Sequence, residues 1–402
     1  MELEKTIESL KKHLSPLTES ENCILLDSYG RICAEDVFAP INVPPFPKSA
    51  MDGYAVISED TALAAKNNPV TLTVASEIFA GETSSVKAEK GISVRVMTGS
   101  FIPEGFDAVV RQEDTDLGEK TVKIFAGVKK GQNFCATGED ILKGALILKK
   151  GSRISRTVIG LLASVGFDSV SVKKPLKISV LCTGTELTEP GKPLSEGKIY
   201  SSIGFMISCA LKNAGQKVSL LKNVEDDSEK ISSALLDAVS SSDFVITTGG
   251  VSVGKKDLLP SVLSSLGAKI LFKGVSIQPG TPTMAALLNG KLILCLSGNP
   301  YAALANFDIY AYHALSVLTG CREFEPVRKD AVLESTYEKQ NALRRLVRAK
   351  YEGGKVTLPV SNHASSVISN MGECNCYIDV PANSSLKPGD KVSVIMIKEQ
   401  TE

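Results

Sequence analysis

Four short stretches of this sequence set glycine beside carboxylate and hydroxyl groups. They are Thr183-Gly184-Thr185-Glu186, Glu225-Asp226-Asp227, the run TTGGVSVGKKD from Thr247 to Asp257, and Ser297-Gly298-Asn299-Pro300. Gly249, Gly250 and Gly254, together with Gly298 just before a helix start, bare N–H donors suited to a phosphate or another oxyanion. The carboxylates of Glu186, Asp226 and Asp257 would repel that anion unless Mg²⁺ lay between them, since this hard cation takes carboxylate and phosphate oxygens together. Each acid also has a plainer reading as a helix cap or turn residue, Asp227 and Asp257 above all. Gly250-Val251-Ser252-Val253-Gly254 fits the G-x-S-x-G pattern of hydrolase nucleophiles, but that motif needs its serine on a sharp strand-to-helix turn. Here Lys255 and Lys256 follow and the next helix is expected to begin at Asp257, which leaves Ser252 in mid-loop. A further acid, Asp52, stands apart in PPFPKSAMDGYAV, residues 44–56. Proline fixes φ and holds the preceding residue extended, so this stretch is a stiff arm. It is either a linker with a polar turn or a device that fixes where Asp52 points.

The elements that would position these residues follow from hydrophobic periodicity. LKISVLCTG, KVSLLKNV, DFVITTGG and AKILFKGV are short apolar strands separated by helical stretches, which predicts βαβ units and a mainly parallel, doubly wound sheet over residues 175–324. In such a sheet ligands bind beyond the carboxyl ends of the strands, where all four glycine-containing loops fall. Asn289-Gly290 between two apolar runs predicts a tight hairpin. YAALANFDIYAYHALSVLTG reads as one closing helix that ends near Gly320. Residues 41–143 hold short alternating runs broken by glycine and acidic clusters, a β-rich unit inserted into an elongated helix-and-strand domain made of residues 1–40 and 144–174. In the latter segment Ser155 is the expected N-cap and Gly166 the stop. Residues 325–402 should form a small β-barrel or sandwich. The fold class is thus multidomain α/β.

Composition narrows the function classes. At 402 residues, 43% hydrophobic and 22% charged with a formal net charge of zero, the chain has the makeup of a globular protein and lacks the basic excess of a nucleic-acid or anionic-membrane binder. No run approaches a membrane span, and the first residues lack the apolar core of a signal peptide, so a cytoplasmic protein is expected. The nine cysteines, mostly single and in apolar segments, read as reduced core thiols. Cys374 and Cys376 form a C-x-C with no second pair nearby, and His13, His313 and His363 form no ligand motif.

The motifs PPFPKSAMDGYAV, VMTGSFIPEGFDAVVRQED, GED at 138–140, TGTEL, TTGGVSVGKKD, PGTP and SGNP follow one another in an order that resembles the molybdopterin molybdenumtransferase family, to which the gephyrin C-terminal region also belongs. The resemblance spans essentially the whole chain. It implies a homodimer of elongated four-domain subunits that binds adenylylated molybdopterin and molybdate, cleaves the phosphoanhydride with Mg²⁺, inserts the metal at the dithiolene and releases AMP. A molybdopterin adenylyltransferase is an implied partner. Carried over by motif, Glu186, Asp226 and Asp257 line the pocket and hold Mg²⁺, while Gly249, Gly250, Ser252 and Gly254 cradle phosphate. Thr183, Gly184, Pro279, Gly280, Ser297, Gly298, Asn299 and Pro300 complete the implied binding set. Asp52, Thr98 and Asp140 belong to a facing wall supplied by the other subunit, which gives the stiff arm its purpose.

The sequence also departs from the family pattern. Cys135 replaces an arginine before GED, Gln278 and Thr281 replace basic residues around the PG turn, and Ser201, Ile203 and Ser297 stand where Asp or Asn, Asn and Pro are common. Lys255, Lys256 and Lys273 are the cations expected to compensate. A second reading from another class is a carrier or scaffold that keeps the pterin pocket with little chemistry. Molybdate and tungstate are not distinguished by the sequence.

Overall fold

The computed structural model of the chain describes residues 1–251, 258–359 and 364–398. Ser252, Gly254, Lys255, Lys256, Asp257 and His363 therefore lie outside the described residues.

The largest core is built on a six-stranded sheet with the order Lys217–Val224, Lys177–Thr183, Phe244–Thr248, Lys291–Leu296, Met284–Leu288, Lys269–Lys273. The first four strands run parallel, and the last two close the sheet antiparallel. Strands Lys177–Thr183, Phe244–Thr248 and Lys291–Leu296 are buried almost throughout, because helices cover both faces and continuous apolar runs suit a strand with no solvent side. One face packs against helix Ile203–Asn213 and the chain from Pro300 to Thr319, the other against helices Ser228–Ser241 and Leu259–Ser265. Such two-sided cover is the doubly wound arrangement expected from the alternation of elements.

Local signals act where their chemistry requires. Asn289 and Gly290 both take the left-handed conformation, with φ of +53° and +76°, as a two-residue hairpin of matching twist demands. Ser155 caps helix Arg156–Ser164 by accepting from Val158 N, and Gly320 ends helix Tyr312–Thr319 in the left-handed region. The closing helix is not continuous, however. A π segment, Phe307–Ala311, separates helix Pro300–Asn306 from Tyr312–Thr319, and nothing in an apolar run announces such an insertion.

The β-rich unit is a five-stranded sheet ordered Ala108–Arg111, Gly53–Val56, Ile92–Val96, Val70–Ile78, Thr121–Ile124. The proline arm ends in the strand Lys48–Ser49, which pairs with Phe134–Cys135 and sets Lys48 opposite Cys135. Residues beyond 325 close a five-stranded barrel. Arg344–Glu352 pairs with Lys355–Thr357 and Cys376–Val380, and Arg328–Leu333 and Lys391–Met396 complete the ring. A short strand from the sheet domain, Ile277–Gln278, adds to Arg344–Arg345 in parallel, with Gln278 in register with Arg345. Helix Leu3–Lys12 contributes Leu3 and Leu10 to the core around the six-stranded sheet. Among the described residues no helix is long and apolar enough to cross a membrane.

Candidate functional site

A cavity of about 1110 Å³ opens beyond the carboxyl ends of the parallel strands. It sits where the strand order reverses, between Lys177–Thr183 and Phe244–Thr248, the position at which a doubly wound sheet leaves a crevice. Its lining brings together Thr183, Gly184, Glu186, Asp226, Gly249, Gly250, Pro279, Gly280, Ser297, Gly298, Asn299 and Pro300 from the sequence-derived set. Lys273 is not among the lining residues and is exposed at the end of the edge strand. Asp52, Thr98 and Asp140 lie in the inserted unit and do not line the cavity of their own chain.

Two reciprocal contacts lock the first two loops. Thr185 N donates to Asp226 Oδ2 at 3.1 Å, and Asp226 N donates to Thr185 Oγ1 at 3.2 Å. Gly184 N donates to Val224 O at 3.0 Å. The three acids of the second loop then divide their work. Glu225 pairs with Lys230 at 2.5 Å, and this contact holds its carboxyl below the ordinary range. Asp227 caps helix Ser228–Ser241 by accepting from Glu229 N and Lys230 N, the plainer reading that its position allows. Asp226 alone of the three lines the cavity.

The glycine turn needs its glycines. Gly249 has φ of +86°, and a Cβ there would stand 2.3 Å from Thr183 O, so the turn and the first strand end can approach only without a side chain. Thr183 Oγ1 donates to Thr248 O at 3.2 Å, which ties the two strand ends on either side of the crevice. Cys182 lines the cavity wall, and burial pushes its thiol up from the ordinary range.

The barrel forms the opposite wall with Thr336, Tyr337, Glu338, Lys339, Arg345 and Leu358. Its grip on the sheet domain runs through residues that also line the cavity. Tyr301 Oη donates to Leu346 O at 2.5 Å and accepts from Arg348 N at 2.9 Å, and the Arg348 guanidinium lies 4.3 Å over the Tyr301 ring. Gln278 is held by Asn341. Arg345, Lys339, Tyr337 and Tyr301 were not singled out by sequence reasoning. The run LRRLVRAK does not show which cavity its arginines meet.

Elsewhere, Asp52 Oδ1 accepts from Thr98 N at 2.7 Å and from Thr98 Oγ1 at 2.8 Å on an exposed surface. These bonds, the backbone one foremost, hold the Asp52 carboxyl below its usual range. Asp140 is exposed, and its N–H donates to Val43 O at 3.0 Å at the start of the proline arm. Cys374 and Cys376 are buried and free, with Sγ contacts to Asn370 O and Ala349 O. Among the described residues no group of three or more His, Cys, Asp or Glu side chains is placed to hold a metal ion.

A doubly wound sheet with a glycine-walled cavity at its switch point, an inserted β unit and a barrel closing the far wall defines a ligand-binding α/β enzyme of modular build. Its sequence matches the MoeA N-terminal region (domains I and II) over residues 1–166, a probable molybdopterin binding domain over 179–316, and the MoeA C-terminal region (domain IV) over 330–397. It is 37% identical over 396 residues to a molybdopterin molybdenumtransferase of Bacillus subtilis, covering 96% of this chain and 92% of that protein. A Staphylococcus epidermidis protein of the same name is 36% identical, covering 98% and 94%. The crystal structure of a Pyrococcus horikoshii molybdopterin biosynthesis MoeA protein superposes with a TM-score of 0.86 at 30% identity, covering 99% of each chain. The chain belongs to the molybdopterin molybdenumtransferase family.

Proposed function

We propose that this protein completes molybdenum cofactor biosynthesis in the cytoplasm by inserting molybdate, or tungstate, into adenylylated molybdopterin, with Mg²⁺ present and AMP released. The observation that carries this reading is the meeting of Glu186 and Asp226 with the glycine turns at 184, 249–250 and 298 around one cavity large enough for a pterin nucleotide. The N–H groups of Gly184 and Gly249 are taken by Val224 O and Leu296 O, which leaves those of Gly250 and Gly298 to suit the phosphates, while the carboxylates suit a hard cation beside them.

The donor set fits Mg²⁺. Thr185 engages only Oδ2 of Asp226, and among the described residues no hydrogen bond engages Asp226 Oδ1 or the Glu186 carboxylate. A Cβ at Gly184 would stand 2.8 Å from Glu186 Oε1, so glycine leaves that carboxylate its room. Glu186 and Asp226 would hold the ion, with Asp257 as a third ligand, and Mg²⁺ would neutralise charge on the phosphoanhydride as it breaks. The chain's own groups orient the nucleotide, hold the first two loops together through Thr185 and shield the pterin with the barrel wall.

The working unit in this reading is a homodimer in which Asp52, Thr98 and Asp140 of one subunit face the cavity of the other. Apolar side chains on the outer surface support it. Phe38 and Leu146 are cross-strand neighbours yet 53% and 50% exposed, and Leu142 is exposed as well. An apolar group of this kind on a water-facing sheet marks a contact surface.

The test is AMP release from adenylylated molybdopterin with Mg²⁺, titrating molybdate and tungstate separately, for the native chain and Asp226→Asn. We expect release that requires one oxyanion and falls at least about a hundredfold in the variant, with the dimer unchanged. Tight binding of the pterin with no oxyanion-dependent release would replace the transferase by a carrier of the same fold. The neutral Gln278 and Thr281 at the PG turn are what favour that second reading.

A further inference from the structure

After the first cavity loop the chain makes an excursion, residues 189–197, that is exposed throughout, and Lys198 ends it half-buried. A short parallel pairing, Leu187–Thr188 against Ile199–Tyr200, carries the excursion on that loop, and Ile199 N donates to Glu186 O at 2.9 Å. Lys198 Nζ donates to Thr185 O at 2.6 Å. Thr185 is therefore gripped at both backbone groups, its N–H by Asp226 at 3.1 Å and its carbonyl by Lys198. Because a peptide is planar and trans, fixing the Thr185 carbonyl also fixes the Glu186 N–H on the opposite side of the same unit. Among the described residues that N–H donates to no acceptor. Lys198 itself does not line the cavity. Its charge nonetheless reaches the second loop, where the Glu225 carboxyl is held low by Lys230 first and, more weakly, by Lys198.

We propose that Lys198 is a positioning residue of the transferase site, holding the Thr185–Glu186 peptide so that the Glu186 and Asp226 carboxylates stand together to receive Mg²⁺. A hydrogen bond from an ammonium to a carbonyl is stronger than a neutral one, and this one acts on the residue that ties the two acid loops together. Lys198 has two opposed influences on the metal. As a cation it repels a second cation, and as a clamp it preorganises two ligands. Preorganisation lowers the ordering cost that binding otherwise meets. The geometry favours the clamp, since the ammonium is engaged by Thr185 O and stays off the cavity wall. The inference rests on the transferase reading for its metal.

The experiment titrates MgCl₂ by calorimetry into the metal-free full-length chain, native and with Lys198→Met, Lys198→Gln or Lys198→Arg, alongside melting temperatures and hydrogen exchange of the Thr185 amide. Methionine keeps the length of the side chain without its charge, and arginine keeps a cation that can reach the same carbonyl. Lys198→Met and Lys198→Gln should weaken Mg²⁺ binding about threefold to tenfold and speed Thr185 exchange about fivefold, with Tm nearly unchanged. Lys198→Arg should restore most of both. The MgCl₂ concentration for half-maximal AMP release should rise in step with the dissociation constant. The sign is decisive, because a lysine acting only through its charge would, when removed, tighten Mg²⁺ binding. Unchanged or tighter binding in a folded Lys198→Met or Lys198→Gln chain would overturn the proposal, as would Lys198→Arg being as impaired as Lys198→Met. In either case native Mg²⁺-dependent AMP release would leave the transferase reading standing. A native chain that neither binds Mg²⁺ nor releases AMP would remove that reading and the inference with it.

Discussion

Replacing Tyr301 with phenylalanine removes one oxygen from the seam between the barrel and the cavity. That hydroxyl donates to Leu346 O at 2.5 Å and accepts from Arg348 N at 2.9 Å, and Tyr301 is only 2% exposed. Burial pushes its phenol up, so it acts as a neutral donor throughout the working pH range. The variant loses two hydrogen bonds and leaves two buried backbone groups unsatisfied, which costs about 2–3 kcal/mol at the seam. The ring and its stack with Arg348 remain, so the loss should appear as local opening rather than global unfolding. Hydrogen exchange of the Arg348 amide reads this directly and should accelerate roughly 30- to 150-fold. Exchange at Arg348 within about threefold of native would refute the argument that this hydroxyl fastens the barrel.

Gly280 has φ of +93°, and a Cβ there would stand 1.8 Å from Asn306 Nδ2, the group that donates to Pro279 O. Gly280→Ala should therefore cost about 1–3 kcal/mol in denaturant unfolding and weaken pterin binding, because the turn must lift off Asn306. His313 is largely buried near Lys11 and Arg328, and desolvation lowers its pKa from 6.5 to about 4. The unfolded chain thus binds the proton more readily, so stability falls as pH drops from 6.5 to about 4. In His313→Leu that part of the pH dependence of Tm should disappear.

Much of the sheet domain was legible because its signals are local. Continuous apolar runs mark strands covered on both faces, Asn289-Gly290 can only be a tight turn between two of them, and Ser155 is a helix start in sequence as in space. That the four strand-end loops share one crevice followed from the winding rule, and Thr183, Glu186, Asp226, Gly249 and Ser297 meet there. The cations of the cavity wall were not legible. Lys273 was expected as a compensating cation, but it lies on the edge strand of the sheet and does not line the cavity. Arg345 is distant in sequence and becomes a neighbour only through the pairing of Ile277–Gln278 with the barrel. A two-residue strand has no periodicity to read. The same holds for Tyr301, whose phenol looks like any core aromatic until Leu346 and Arg348 are brought to it.

The strand Arg344–Glu352 meets Lys355–Thr357 only from Lys350 onward, so the earlier half of that edge has no neighbour within the barrel. Ile277–Gln278 and the Tyr301 hydroxyl occupy it instead. An uncovered strand edge is a template for pairing with another chain. Residues that shape the cavity therefore also act as a guard against self-association. A barrel excised at residue 325 would carry its sticky flank into solution, and a sheet domain cut at the same place would lose the strand partner that sets Gln278. In this chain, cover of the strand edge and shape of the cavity fall to the same few residues, so a change to one acts on the other.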